Sequence, residues 1–574
     1  MRNSIAITGS GIICAIGKDK QQVRDSLLTG KTGIGELRYL PSRHKDLPVG
    51  EVKMSNEELK QALGVSPTEE YSRTALLGAY ALHQTLIDAR LTPESLKEKR
   101  VTFISGTTVG GTEESEQYSC GNNTKAIAQL TLFNFQCSMF NAEGVASELR
   151  ERSGNVQCST ISTACSSALN AIILGSRMLL RDETDIVLAG GTEALSVFHL
   201  NGFNSLMILD HEVCRPFDAT RQGLNLGEGA AYLVLERTND ARSREANIEA
   251  YIAGWGNRCD AFHQTATSDN GEGAFLAMTD ALQMADLQPQ EIDYINAHGT
   301  GTPDNDKAES AALHRVFADV LPPVSSTKSL TGHTTSASGS IETVICLIAM
   351  LGRFIPGNFG WKNKAPECIT PTGFIPDTDL HHVLCNSFGF GGNDSSLILS
   401  DREHQNFSMF YVKCSMVNCA EATITQEEEL KALREYMSPM ESRRMCQLMK
   451  AAFLTSMRAL EKAGINKPDA IIIATEHGMY DNGRKILETL IEKGEEGISP
   501  TLFMQSTHNT LAGALAIHLG CHGYNITYSQ GKESLQWAIQ DAQRLIQEGK
   551  AKNVLVGFHD EMPLYSKSII IKKV

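Results

Sequence analysis

The sequence predicts an α/β fold of stacked sheets and helices, on three observations. Short apolar runs ending at glycine, such as IAITGSG, VTFISGTTVGG and DIVLAGGTEAL, alternate with helical stretches such as YSRTALLGAYALHQTLIDA; that alternation argues layers built on largely parallel or mixed sheets. The helix from Ser166 to Leu180 is apolar nearly all round, through Ala168, Leu169, Ile172, Ile173, Leu174, Met178, Leu179 and Leu180. Such a helix is buried on every side, which demands a middle helical layer between two sheets. The alternation then returns over residues 251–400, with AYIAGWG, DYINAHGTGT, an apolar helix around SIETVICLIAML and VLCNSFGFGGNDSSLILS.

The polar stretch DREHQNF (401–407) reads as a linker. The unit after it echoes the first in order and spacing. SRRMCQLMKAAFLTSMRALEKAGI lies over YSRTALLGAYALHQTLIDARL, DAIIIATEHGMYDN over RVTFISGTTVGGTEES, YNITYSQGKESLQWAI over VQCSTISTACSSALNAI, and AKNVLVGFHDE over TDIVLAGGTEA. Four matches in one order indicate a partial internal duplication. The chain therefore divides into units at 1–250, 251–405 and 406–574.

Composition narrows the function. Lys and Arg number 52 against 67 Asp and Glu, a formal charge of −15, which disfavours general nucleic-acid binding because phosphate needs a cationic surface. The 14 cysteines stand singly, with no CxxC pair and no zinc spacing, so neither a disulfide framework nor a structural metal is favoured. The N-terminus has a strand-and-turn pattern instead of a signal-peptide core, and no run of 18 apolar residues occurs. A reduced, cytoplasmic protein is expected.

Chemistry concentrates in four loops. In STACSSALNAI, Cys165 stands between a strand end and the buried helix, where helix-start N–H groups favour thiolate and can face an oxyanion. In INAHGTGTPDNDKAE, His298 heads a Gly/Thr-rich loop, and in STKSLTGHTTSASGS, Lys328 and His333 stand among small residues that permit close approach. CNSFGFGGNDSS is a glycine-punctuated hinge between strands. Taken singly, each has a bland reading: a core cysteine, a capping histidine, a helix entry, a plain turn. Together, one Cys and two His at strand ends form an acyl-transfer set.

Those motifs, with LAGGTEAL and RPFDATRQGLNLGEGAAYLVLE, span the first 400 residues. Residues 1–405 resemble the elongating β-ketoacyl-[acyl-carrier-protein] synthases, condensing enzymes of the thiolase superfamily. The resemblance implies a thiolase-like αβαβα layered fold of two similar halves, followed by a smaller, partial thiolase-like α/β domain. It implies that Cys165 accepts an acyl group from a carrier-protein thioester. A malonyl-type extender then loses carbon dioxide, and its enolate attacks the acyl carbonyl. His298 and His333 would donate N–H to the enolate oxygen, and the backbone N–H groups of Cys165 and Phe390 would hold the tetrahedral oxyanion. Lys328 would position the histidines, Glu309 would balance that lysine, and Phe390 would gate the acyl tunnel. Thr300, Thr302 and Thr265 would bind the phosphopantetheine arm. No resident cofactor or metal is implied; the implied partners are an acyl carrier protein and a second synthase subunit, as a homodimer or a synthase heterodimer.

The departures from the family pattern are QGLN (222–225) and Asn305-Asp306, which bear on loop packing. Arg215 and Arg221 are the candidate carrier contacts, with internal ion pairs as the alternative, and TEEYSR (68–73) carries glutamates where relatives carry basic residues. The third unit puts Lys532 at the Cys165 position and has no counterpart of the histidine loops. It resembles the short synthase-N-terminus-like domains of aryl-polyene and flexirubin pathways and is expected to be non-catalytic, with His508 and His559 structural. Three functions compete: a decarboxylating condensing enzyme; a thiolase, for which Cys385 is the only nearby second cysteine and is misplaced; and a non-catalytic chain-length-factor-like subunit, which would be expected to lack the nucleophile.

Overall fold

IAITGSGIIC forms a ten-residue strand, β1 (Ile5–Cys14), buried along its whole length. A strand buried on both faces needs helices above and below it, and the rest of the chain supplies them. The computed structural model describes residues 4–68, 71–96, 98–109, 156–318, 320–404 and 416–573. The boundary expected at 406, the glutamates at 69 and 70 and the end of VTFISGTTVGG lie outside these.

The first unit continues with β2 (Val101–Gly106), β3 (Val156–Ser162), β4 (Ile186–Glu193) and β5 (Gly229–Arg237). The second holds β6 (Ala250–Cys259), β7 (Tyr294–Asn296), β8 (Val324–Ser325), β9 (His382–Gly389) and β10 (Asn393–Ser400). The third holds β11 (Met416–Ile424), β12 (Ala470–Ala474), β13 (Asn525–Tyr528), β14 (Asn553–Glu561) and β15 (Leu564–Lys573). All fifteen are hydrogen-bonded in the order β11-β15-β14-β12-β13-β3-β2-β4-β5-β1-β6-β10-β9-β7-β8.

That order contains one five-stranded motif three times. In each unit the first strand pairs antiparallel with the fifth and the fifth antiparallel with the fourth, while the fourth, second and third run parallel. The duplication expected between the first and third units is thus part of a threefold repeat. First and second units join through antiparallel β1 and β6. First and third join through antiparallel β3 and β13, where Thr527 faces Ser162 and Tyr528 faces Ile161.

Helices complete the layers. Arg73–Asp88 (α1) covers β1 and β5 from outside. Ser167–Leu180 (α2) is buried at every residue. It packs against β4 and β2 of its own unit, against β10 of the second, and against Ser338–Gly352 (α4), which follows Pro303–Phe317 (α3) in the chain. The middle helical layer demanded by the sequence is therefore α2 with α4. The segment Thr335–Gly352 is long and apolar enough to cross a membrane, but 89% of it is buried inside the protein; it is the only such helix among the described residues, and the fold accounts for it as core.

The third unit repeats this plan with Gln447–Ala463 (α5) in the place of α1, Thr510–Leu519 (α6) between β12 and β13, and Ser534–Gln547 (α7) in the place of α2. Reciprocal ion pairs tie α2 to α7. Buried Arg177 reaches Asp541 at 2.7 Å and Glu548 at 3.0 Å, and Arg544, at the matching position of α7, reaches Glu183 at 2.7 Å.

Candidate active site

The nucleophile turn is built by local hydrogen bonding. After β3, Ala164 turns the chain at φ 52, a left-handed conformation that costs a residue bearing a Cβ about 1–3 kcal/mol. The surrounding bonds hold it there: Ser167 Oγ accepts the Thr163 N–H at 2.9 Å and donates to the Ala164 carbonyl at 2.6 Å, while Ser166 Oγ donates to the Asn393 carbonyl at 2.9 Å. Gly389, at the end of β9, passes so close that a Cβ there would stand 2.5 Å from the Thr163 carbonyl oxygen and 3.1 Å from the Cys165 nitrogen. The hinge motif of the second unit therefore lies directly on the nucleophile turn of the first.

Cys165 Sγ lies 3.1 Å from His333 Nε2. The His333 backbone bonds to the segment that departs from the family pattern: its N–H donates to the Asn225 carbonyl at 2.7 Å and its carbonyl accepts from Gly227 at 2.9 Å. Ser338 Oγ stands 3.4 Å from Nδ1. The His298 ring meets His333 edge-on, with centroids 5.2 Å apart at 83°. Glu309, on α3, fixes the His298 loop by accepting the N–H groups of His298 at 2.9 Å and Gly299 at 2.8 Å. Residues more than 160 positions apart in sequence thus converge on one buried point.

Two expectations are corrected here. Glu309 does not balance Lys328: Lys328 Nζ pairs with Glu342 of α4, while Glu309 is occupied by backbone N–H groups. The sequence signal was available, since Glu342 is the lone acid in an otherwise apolar helical stretch and a buried acid needs a partner. The second concerns the thiol. Burial pushes Cys165 up to about 12, against the opposing pull of Lys328 and of the Phe390 and Cys165 N–H groups. Desolvation outweighs the helix start, so the resting group is a thiol.

The same burial, reinforced by Lys328, holds His298 and His333 well below the ordinary imidazole range, and the neighbouring His333 lowers His298 further. Neutral His333 protonated on Nδ1 presents its Nε2 lone pair to the Cys165 S–H; the other tautomer donates to a thiolate. Burial raises both Glu309 and Glu342 to about 7, opposed by N–H donors at the first and by Lys328 at the second.

The arrangement offers a dry sulfur, a proton acceptor beside it, two neutral imidazoles and paired N–H donors, a set suited to acyl transfer through an oxyanion. Residues 2–241 and 249–362 match the models of the β-ketoacyl synthase N-terminal and C-terminal domains, and residues 418–568 match an N-terminal domain model again. A 3-oxoacyl-[acyl-carrier-protein] synthase 2 from Coxiella burnetii is 32% identical over 416 residues, covering 70% of this chain and 99% of that relative.

The chain belongs to the β-ketoacyl synthase family. It is a condensing acyltransferase. The solved ishigamide ketosynthase/chain length factor is 29% identical with a TM-score of 0.62, covering 70% of this chain and all of that one. The PfaC keto synthase-chain length factor structure covers all of this chain and 78% of its own, with a TM-score of 0.78 at 17% identity, a likeness of fold.

Around this core the other expected residues fall into place unevenly. Thr300 and Thr302 bond each other at 2.8 Å in the His298 loop. Thr265 sits in a different loop beside the exposed His263 ring. The Phe390 ring stacks on Phe203 at 5.8 Å and 21°, and Phe203 in turn meets Phe503 of the third unit at 5.4 Å. Both proposed carrier contacts are held internally: Arg215 pairs with Asp210 at 3.1 Å and with Glu212, and Arg221 with Glu367 at 2.9 Å and Asp306 at 3.7 Å. Asp306, from the departing Asn-Asp pair, accepts the Phe217 and Gly301 N–H groups and so packs the same loops. Cys385 is buried inside β9. His508 and His559 are buried in the third unit, far below the ordinary imidazole range at about 4 and about 3, through burial alone. Asn225 and Ser338, which frame His333, stand inside the quoted QGLN and STKSLTGHTTSASGS segments, but nothing in the sequence assigned either an individual role.

Proposed function

We propose that Cys165 is the acyl carrier of a decarboxylative Claisen condensation. The observation that carries this is the 3.1 Å contact between Cys165 Sγ and His333 Nε2, with His298 edge-on to the same ring. His333 takes the thiol proton as the sulfur attacks a carrier-protein thioester. The acyl group moves to sulfur and the carrier thiol leaves. A malonyl thioester then loses carbon dioxide, and its enolate oxygen is held by N–H groups of the two neutral imidazoles. Fixed donors of this kind typically contribute a few kcal/mol each to the barrier, about 2.7–4 kcal/mol where one has been removed elsewhere. The carbanion attacks the acyl-Cys165 carbonyl, whose oxyanion faces the N–H groups of Cys165 and Phe390, and collapse breaks the C–S bond, giving a 3-oxoacyl product and a Cys165 thiolate that takes up a solvent proton through His333 to restore the thiol. Thr300 and Thr302 suit the pantetheine arm; Thr265 is placed less directly. The substrates arrive on an acyl carrier protein, so the reaction needs no resident cofactor, and the free thiols fit a cytoplasmic setting.

In this reading the third unit takes the place of the second synthase subunit. The support is the antiparallel β3–β13 join, the reciprocal Arg177 and Arg544 pairs, and the likeness to keto synthase–chain length factor structures. The pairing that the homodimer and heterodimer expectations require is then met inside one chain. A purely non-catalytic role is disfavoured by the intact Cys165 site. The test is acyl transfer from a carrier thioester by the Cys165→Ala protein: loss of transfer and of condensation is expected, and retained condensation would overturn the proposal.

A further inference from the structure

Asn509 belongs to the third unit, at the entry to α6, yet its side chain reaches into the active-site loop of the second unit. Its two amide hydrogens account for two bonds: Nδ2 donates to the Phe390 carbonyl at 2.9 Å and to Asn393 Oδ1 at 2.8 Å. Asn393 in turn donates to Asn525 of β13, at 3.1 Å to its side chain and 3.2 Å to its backbone. One turn into α6, a Cβ on Gly513 would stand 2.9 Å from Gly391 Cα, so the helix backbone rests on the loop. The loop's own bonds hold its glycines: Gly391 and Gly392 sit at φ 84 and 78, Gly391 N–H donates to the Gln264 carbonyl at 2.8 Å, Gly392 N–H donates to the Gly389 carbonyl at 3.0 Å and the Gly392 carbonyl accepts from Asp260 at 2.8 Å, while the Phe390 carbonyl takes its bond from Asn509. This is the loop of Phe390, whose N–H lies near enough to Cys165 to oppose the rise of its thiol.

We infer that Asn509 is a positioning residue for the oxyanion hole: the third unit, which has Lys532 at the position matching Cys165, sets the peptide geometry that lets the Phe390 N–H face the acyl oxyanion on Cys165. The bond at the Phe390 carbonyl fixes that residue from one side, and the Asn393 bond fixes the far end of the loop. Moving the donor by a fraction of an ångström weakens it most at the acyl oxygen, where charge develops, and much less at the sulfur, which Lys328 and the Cys165 N–H also stabilise. This rests on the acyl-Cys165 reading above.

Two reactions of the same sulfur separate positioning from general structure. Acylation by an acyl-N-acetylcysteamine thioester passes through a tetrahedral oxyanion; alkylation by iodoacetamide displaces iodide and does not. The variants are Asn509→Asp, which keeps the shape but turns a donor into an acceptor facing two acceptors, and Gly513→Ala, which presses on Gly391. Both are measured in the full-length protein. In each, acylation of Cys165 is expected to fall about ten- to hundredfold while alkylation stays within about twofold. Acylation unchanged in both variants, or acylation and alkylation falling together, would overturn the inference. A wild-type protein that is never acylated at Cys165 would instead overturn the condensing reading, so the two failures are distinguishable.

Discussion

At the start of α2, Ala164 turns the chain at φ 52 and the Thr163 N–H donates to Ser167 Oγ at 2.9 Å; at the start of α7, Gly531 turns it at φ 81 and the Gln530 N–H donates to Ser534 Oγ at 2.9 Å. The two turns share a scaffold, yet one presents buried Cys165 and the other exposed Lys532. The helices behind them differ in the same way. Every residue of α2 is buried, while α7 keeps an exposed stripe through Gln536 and Gln540. The reason is what lies on top. The second unit covers α2 with α4 and brings its histidine loops and Gly389 hinge onto the nucleophile turn, whereas among the described residues no comparable helix is packed over α7. The comparison teaches that the turn alone does not make the site; desolvation and the convergent donors of the second unit do.

The comparison breaks first at the nucleophile. Cys165→Ala is expected to lower condensation by three orders of magnitude or more, and adding Lys532→Cys to that variant is expected to restore none of it, because nothing at α7 dries or activates a thiol. Steady-state turnover of carrier-bound substrates checks both; recovery by the double variant would mean that the turn suffices.

Next come the reciprocal arginines. Arg177→Ala strands two buried carboxylates, Asp541 and Glu548, and is expected to cost about 3–5 kcal/mol in urea unfolding. Arg544→Ala leaves Glu183, whose side chain is 29% exposed, still paired with Arg181 at 2.8 Å, and is expected to cost about 1–2 kcal/mol. Equal losses would contradict the difference in burial. Glu342→Gln, which strands buried Lys328, is expected by the same argument to cost about 3–5 kcal/mol in urea unfolding and to lower turnover, with the fraction folded followed by circular dichroism.

The last prediction concerns pH. His508 and His559 have folded values of about 4 and about 3, below the ordinary 6.5. Depressed values mean that the unfolded chain binds more protons in the window between. Their contribution to stability is therefore complete above about pH 6.5 and is lost as pH falls through that window, at up to about 1.4 kcal/mol per pH unit for each. Replacing both with Asn is expected to flatten the decline of unfolding free energy between pH 6.5 and 4.5; an unchanged slope would show that they do not hold their protons off.

Much of this was legible in the sequence. The all-round apolar pattern of Ser166–Leu180 gave the middle layer because a helix without a polar face has only one place to go. Cys165, His298 and His333 were legible because glycine-rich loops at strand ends are where chemistry collects. The Lys328–Glu342 pair was missed because pairing across α4 is a tertiary fact, and Glu309, nearer a recognised motif, drew the assignment. The thiol's raised value was missed because helix-start polarity is a local property while desolvation depends on the whole second unit. Asn509 was invisible because its partners, the carbonyl of Phe390 and the amide of Asn393, lie more than 100 residues away.

Peptide mass spectrometry after brief exposure to an acyl thioester tests the central claim most directly. The account predicts a single acyl adduct, on the peptide holding Cys165, with the Lys532 peptide unmodified. Acyl transfer to Lys532, or condensation proceeding with Cys165 never loaded, would contradict it.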